Sequence, residues 1–396
     1  MKSRIYLDNA ATSWPKPESV YAAVDGYLRE IGAAASRGGY QAALQSDQIV
    51  ADTRDRLRRL IGARSSRSVV MTFNGTDGLN TVIRGCLRHG DHVVTTDIEH
   101  NSVLRPLKFL ESQLGIAIDY APCDECGRVD PAEIDRHLRP QTRLVVVSHA
   151  SNVTGTLQPI DEIAAQLTDH DALLLVDAAQ TLGHIPIDVE ALGVDALASS
   201  GHKGLLGPLG TGVLYLSSRA VESVHSLRQG GTGTTSETDI QPAEPPEKYE
   251  SGNLNVVGIA GLGAGCQYLL DRGVDDVHRQ LTNLDAQLRL AITELPAVEV
   301  FGPPAANHGV GITSFRIPGY EPQEIAAVLD ASFGIQVRAG LHCAPRMHRS
   351  LGTIDVGGTI RASLGPFNNE QDVAAVVDAL RELAPKGDEQ PRRGLA

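Results

Sequence analysis

The sequence predicts an α/β protein: a large domain on a mostly parallel sheet of about seven strands flanked by helices, then a smaller α+β domain. Three observations carry this expectation. Continuous apolar runs such as Leu144-Val145-Val146-Val147 and Leu173-Leu174-Leu175-Val176 suit strands buried on both faces. These runs alternate with helix-like stretches, as parallel strands joined by crossover helices do. A Gly- and Pro-rich stretch over 229–246 then breaks the alternation.

In chain order, the expected strands of the large domain are 68–72, 92–95, 116–120, 144–148, 173–176, 196–198 and 212–216. Helical patterns lie between them at 78–87, 102–113, 131–138 and 161–167. After the break come helices at 256–270, 277–295, 322–332 and 370–383, interleaved with strands at 311–317 and 359–363. The expected division is 15–258 for the large domain and 259–396 for the small one, with 1–14 packing on the latter. The polar tail 386–396 is expected to fray.

The 396 residues carry a formal net charge of -13, which argues against nucleic acid as the main partner. No apolar run approaches the roughly 20 residues of a membrane helix, and the first residues lack a signal-peptide core. The expectation is cytoplasmic, with no membrane partner. The five cysteines are sparse and odd in number, unlike a disulfide framework. Cys123-Asp124-Glu125-Cys126 is a lone CxxC without a second ligand pair, so it reads as a polar turn and no metal is expected. Gly261-Leu262-Gly263-Ala264-Gly265 sits in a helical context and is not a dinucleotide fingerprint.

The residues placed to do chemistry cluster at strand ends. Lys203 lies in the turn Ser199-Ser200-Gly201-His202-Lys203-Gly204, whose glycines admit close backbone approach. A partly buried lysine there is placed to bond a carbonyl cofactor through its amine, and an exposed surface charge is the blander reading. Asp177 ends an apolar strand, where ligands bind in open α/β sheets, and an aspartate there keeps a pyridine nitrogen protonated. Its blander reading is a helix N-cap. Gln180, three residues on, reaches toward a phenolic oxygen. Gly75 and Thr76 open a helix after a strand, a phosphate site, and Ser200 and His202 add short polar groups able to hold a phosphate. His100 is suited to stack on a ring and to move protons near neutral pH. Asn152 offers an amide at another strand end, and Arg361 a fork for a carboxylate. Cys343 is a candidate nucleophile, an inert buried thiol being the alternative. Together these residues point to pyridoxal 5'-phosphate (PLP) chemistry on a sulfur-containing amino acid.

The ordered set Asn74-Gly75-Thr76, Glu99-His100, Asp177-Ala178-Ala179-Gln180, Ser200-Gly201-His202-Lys203 and Arg338-Ala339-Gly340-Leu341-His342-Cys343 resembles the class V aminotransferase superfamily of fold-type I PLP-dependent transferases. Within it the chain is most similar to the cysteine desulfurases of the Suf-type branch, from Tyr6-Leu7-Asp8 to Ser363-Leu364-Gly365. The resemblance implies that Lys203 carries PLP, His100 stacks on its ring, Asp177 holds its nitrogen and Gln180 its phenolic oxygen. Thr76, Ser200 and His202 would bind phosphate, Asn152 and Arg361 the substrate carboxylate, and Cys343 would attack the substrate sulfur. It also implies a homodimer with active sites at the interface, and transfer of sulfur to an acceptor protein. Two positions depart from the family pattern. Asn253 stands where the family has the threonine that reaches the partner subunit's phosphate, and Leu341 where many Suf-type members carry a second histidine.

The resulting expectation is a PLP enzyme that converts L-cysteine to L-alanine with sulfur held as a persulfide on Cys343. A selenocysteine lyase or a C–S lyase on the same scaffold is the alternative. A catalytically weak PLP-binding docking subunit is a third reading.

Overall fold

The computed structural model describes residues 4–36, 38–304 and 309–384. The tail expected over 386–396 lies outside the described residues. The chain opens with β1 (Ile5–Tyr6), α1 (Glu18–Gly26) and α2 (Gln41–Leu60). Next come β2 (Val69–Thr72), α3 (Gly75–Cys86), β3 (His92–Thr96), α4 (Asn101–Leu114), β4 (Ala117–Ala121), α5 (Pro131–His137), β5 (Thr142–Ser148), α6 (Ile160–Gln166), β6 (Leu173–Asp177), β7 (Ala196–Ser200), β8 (Gly212–Leu216) and α7 (Ser218–Ser223). The last third holds α8 (Val256–Arg272), α9 (Val274–Thr293), β9 (Glu299–Phe301), β10 (Ile312–Arg316), α10 (Pro322–Val328), β11 (Ile335–Gln336), β12 (Arg338–Gly340), α11 (Pro345–Ser350), β13 (Thr359–Ser363) and α12 (Glu370–Leu383).

Seven strands form one sheet in the order β2-β8-β7-β6-β5-β3-β4. Every neighbouring pair is parallel except those of β8, which runs antiparallel to both β2 and β7. Side chains of the central strands alternate between two apolar cores. Val145, Val147, Leu174 and Val176 face one core with Ile134 of α5 and Ile163 of α6. Leu144, Val146, Leu173 and Leu175 face the other with Leu79 of α3 and Leu107 of α4. This two-sided burial explains the unbroken apolar runs, each such side chain contributing about 1.5–3 kcal/mol when fully buried.

Two strands run further than their apolar stretches. Strand β6 continues through Asp177 and β7 through Ser200, because backbone pairing persists past the last apolar side chain: Ser148 pairs with Asp177 and Ser200 with Gly212. Helix α3 likewise starts at Gly75, three residues before its apolar periodicity. The Asn74 side chain caps it by accepting from Asp77 N at 2.9 Å.

A smaller four-stranded antiparallel sheet, β12-β13-β10-β9, forms in the last third, with α9 and α10 packed on it and α12 packed on α9. Strand β1 pairs in parallel with β11, which brings the N-terminal segment onto this part of the chain. Helix α8 packs on α1 and α2, and its glycines explain how closely. A Cβ at Gly261 would come within 2.9 Å of Val24 Cγ2 of α1, and one at Gly263 would crowd Thr53 of α2, so the small residues there serve helix packing. Gly273, at a φ of 86°, then turns the chain into α9.

Candidate active site

The carboxyl ends of β5, β6 and β7 and the N-termini of α3 and α4 enclose a cavity of about 290 Å³. It is lined by Gly75, Thr76, His100, Asn152, Asp177, Gln180, Ser200, His202 and Lys203, joined from the small sheet by Arg338, His342 and Arg361. Residues read separately from the sequence thus converge where ligands bind in doubly wound sheets.

Lys203 is held by a tight turn in which Gly201 N donates to Thr211 O at 2.8 Å and Leu206 N to Lys203 O at 2.9 Å. Gly204 lets this turn pass close to His184, whose Cδ2 would lie 3.0 Å from an added Cβ. Burial pulls the Lys203 amine down to about 8, against the opposing pull of Asp177. Burial in turn raises the Asp177 carboxyl, opposed by a bond from Ala179 N at 2.9 Å and by the charge of Lys203. Gly75 N donates to Ser200 Oγ at 3.1 Å, tying the N-terminus of α3 to the end of β7. Gln180 spends its Nε2 on Ala10 O at 3.2 Å. Its Oε1, like His202 Nδ1, is buried without a partner among the described residues.

His100 accepts from Ser102 N at 3.0 Å through Nδ1, so its neutral ring carries the proton on Nε2. The same Nδ1 lies 2.8 Å from Ser102 Oγ, which lies 2.7 Å from Thr76 Oγ1. A hydroxyl chain therefore links the α3 N-terminus to the ring. Burial, then the charges of Lys203, Arg338 and Arg361, push His100 down to about 4. Glu99 beside it is fully buried and accepts from Thr96 Oγ1, Ser148 N and Ser148 Oγ at 2.7, 2.9 and 2.7 Å. Those three bonds fix the turn that presents His100.

Cys343 is not itself among the lining residues but follows His342, which is; it is half-buried, with Arg338 Nη2 3.5 Å from its Sγ. Both His342 and Cys343 have positive φ, 47° and 61°, a conformation that non-glycine residues adopt at a cost. Three bonds hold the turn: Asn152 Nδ2 to His342 O at 2.6 Å, Asn101 N to Cys343 O at 2.8 Å, and His342 Nε2 to Thr359 O at 3.1 Å. Arg361 is 1% exposed and gives Nη2 to Asp8 Oδ1 and Nη1 to Asn152 O, each at 2.9 Å. Arg361 is therefore bonded directly to the Asn152 backbone, and Asn152 in turn to the Cys343 turn.

Asn253 is not among the lining residues of this cavity. It is exposed and borders a separate small pocket with Arg228 and Glu250. Cys123 and Cys126 are free thiols, both pushed up by burial, Cys123 to about 11, so they stay protonated near neutral pH. Arg338, Ser102, Glu99 and Asp8 are site residues that the reading of single motifs passed over. Arg338 lies five residues before Cys343 and so carried a signal, whereas Asp8 meets Arg361 across 353 residues.

Residues 5–376 match the model of the aminotransferase class-V family. A probable cysteine desulfurase of Methanothermobacter thermautotrophicus is 36% identical over 391 residues, covering 98% of this chain and 96% of the relative. A cysteine desulfurase of Pectobacterium atrosepticum is 31% identical, covering 96% of this chain and 92% of that one. Among solved structures, the apo cysteine desulfurase of Thermococcus onnurineus superposes with a TM-score of 0.89 at 33% identity, covering 96% of this chain and 94% of that one. The Escherichia coli cysteine desulfurase CsdA gives 0.86 at 28% identity, covering 96% of each chain.

Proposed function

The chain belongs to the aminotransferase class-V family, and from that membership we propose that it is a PLP-dependent cysteine desulfurase. It converts L-cysteine to L-alanine and passes sulfur through a persulfide on Cys343 to an acceptor protein. The observation that carries the reading is the convergence of Lys203, Asp177 and Arg361 on one cavity, with Cys343 in contact with Arg338, which also lines it.

The residues present fit PLP. Buried Gln180 Oε1 and His202 Nδ1 lack partners among the described residues, and Gly75 leaves open a space where a Cβ would come within 2.9 Å of Ser200 Oγ. Lys203 would bond the cofactor, Asp177 would hold its ring nitrogen, His100 would stack on the ring and Gln180 would face its phenolic oxygen. Gly75, Thr76, Ser200 and His202 would hold its phosphate. When bound, PLP supplies an electron sink for the charge released at the substrate α-carbon.

Arg361 and Asn152 orient the substrate carboxylate. Lys203, with its amine near 8, takes the α-proton and later returns a proton to carbon. His100 presents Nε2–H as a donor. Cys343 attacks the substrate sulfur as the thiolate: the S–S bond forms as the C–S bond breaks, and its electron pair stays on carbon, to be protonated as the alanine methyl. Arg338 keeps a cation beside the sulfur throughout.

Further parts of the reading follow the family. The enzyme is a homodimer, with exposed Asn253 facing the partner subunit's phosphate. Residues 15–258 form the cofactor-binding domain, and 259–396, with 1–14, the smaller one. No helix among the described residues is long and apolar enough to cross a membrane, and we place the enzyme in the cytoplasm. The test is the three-carbon product from L-cysteine with PLP and a thiol reductant. Alanine formed one-for-one with sulfide is expected, and pyruvate would overturn the reading in favour of a C–S lyase. Cys343→Ser is expected to keep the cofactor absorbance and lose sulfur transfer.

A further inference from the structure

The loop that carries Asn152 is held in an unusual way. Three successive carbonyls are each bonded by a different element of the small domain. Arg361 Nη1 of β13 donates to Asn152 O at 2.9 Å, Ser314 Oγ of β10 to Val153 O at 2.6 Å, and Arg289 Nη2 of α9 to Thr154 O at 2.8 Å. Buried loop carbonyls must find partners, but turn bonds or water usually suffice. Here side chains fix each peptide plane in turn.

Arg289 is the most committed of the three. It is 3% exposed and places all five of its N–H donors on protein acceptors. Its Nε bonds Asp285 at 2.9 Å, its Nη1 reaches the carbonyls of Phe301 and Pro303 at 3.2 and 3.3 Å, and its Nη2 serves Ile312 O as well as Thr154 O. Burying such a charge is costly, and apolar side chains of similar volume stabilise as well or better. Stability therefore does not account for it, whereas position does. Asn152, through its side chain, also holds the Cys343 turn at His342 O. A shift of this loop would thus move the carboxylate site and the sulfur site together.

We propose that Arg289 and Ser314 are positioning residues for the substrate carboxylate, acting through the backbone of the Asn152 loop. The proposal rests on the reading that Asn152 and Arg361 hold that carboxylate. Two variants of the PLP-loaded enzyme test it. Arg289→Lys keeps the charge facing Asp285 but leaves three donors for five acceptors, and Ser314→Ala deletes the bond to Val153 O. Each is expected to raise KM for L-cysteine about 3- to 10-fold, the scale of one ordering hydrogen bond, with a smaller fall in kcat because the same loop also holds the Cys343 turn. The concentration of L-alanine that half-saturates the cofactor absorbance change should rise by the same factor. In an Asn152→Ala background neither substitution should raise KM further, because both act through that residue. A lowered melting temperature with unchanged KM and alanine binding would overturn the proposal, as would an effect that adds in full on Asn152→Ala. If Asn152→Ala alone leaves KM unchanged, the carboxylate assignment itself fails. Should Arg289→Lys not fold, Ser314→Ala carries the test.

Discussion

Replacing Arg361 by lysine separates charge from geometry at the carboxylate site. A guanidinium has five N–H donors and an ammonium three. Arg361 commits one donor to Asp8 and one to Asn152 O, which leaves three, two of them on the terminal nitrogens in a fork. A lysine making the same two bonds has one left. The variant therefore keeps the charge and loses at least one charge-assisted bond to the substrate, about 1.5–3 kcal/mol. At about 1.4 kcal/mol per tenfold, KM for L-cysteine should rise about 10- to 100-fold. Alanine formation measured across a range of cysteine concentrations gives KM and kcat, and cofactor absorbance confirms that the PLP site is intact. The penalty should vanish with cysteamine, which has the amine and thiol of cysteine but no carboxylate. A KM within twofold of wild type, or an equal penalty on cysteamine, would refute the assignment.

Two further outcomes follow from buried charges. Burial lowers Lys203 from 10.5 to about 8, so between these values the unfolded chain binds the extra proton and stability rises with pH. In PLP-free protein, Lys203→Met should remove that part of the rise in urea midpoint between pH 8 and 10.5, and an unchanged profile would count against it. Arg54 and Glu250 form a bidentate pair at 2.7 and 2.8 Å with side chains 11% and 7% exposed. Arg54→Ala leaves the carboxylate buried with Met71 N as its remaining donor at 2.6 Å, costing about 3–5 kcal/mol. At about 2.1 cal/mol/K of unfolding entropy per residue the thermal midpoint should fall by roughly 4–6 °C, and a fall under about 2 °C would contradict the buried-pair account.

What the sequence displayed, and what it hid, follows from where the constraint is local. Strand β8 is bounded by Gly212 and by the helix-capping Ser217, so its expected limits match those observed. Helix α12 is announced by its Asn369–Asp372 capping box. Helix α2 gives no such signal: it is polar on average and buries Ser46, Thr53 and Arg54 along with Ala43, Val50 and Leu57, which blurs the helical period. Strands β1 and β11 are two residues each, too short for any periodicity to show. In the site, residue types at strand ends were legible because each chemistry has a small menu of groups. Their commitments were not. Nothing near Asn152 in the chain indicates that one of its two amide N–H donors goes to His342 O, 190 residues away.

The charges around the cavity narrow the division of labour further. Lys203, Arg338 and Arg361 line it, while Asp177 is the single carboxylate among the lining residues and Asp8 meets Arg361 from the N-terminal segment. This surplus of cations suits a phosphate and a carboxylate together, in a chain whose overall charge is -13. It also reinforces what burial does to the rings: His100 and His202 are both held near 4. Neither is a cation at neutral pH, so the positive charge facing an anion comes from the arginines and Lys203, while His202 offers a neutral hydrogen bond. Nor is His100 a ready base toward a ligand, because Ser102 N occupies its Nδ1 and leaves the proton on Nε2. The group in the cavity poised to take a proton near neutrality is Lys203, at about 8. Under the proposed function, proton transfer at the α-carbon would therefore fall to Lys203, with His100 as donor and ring support.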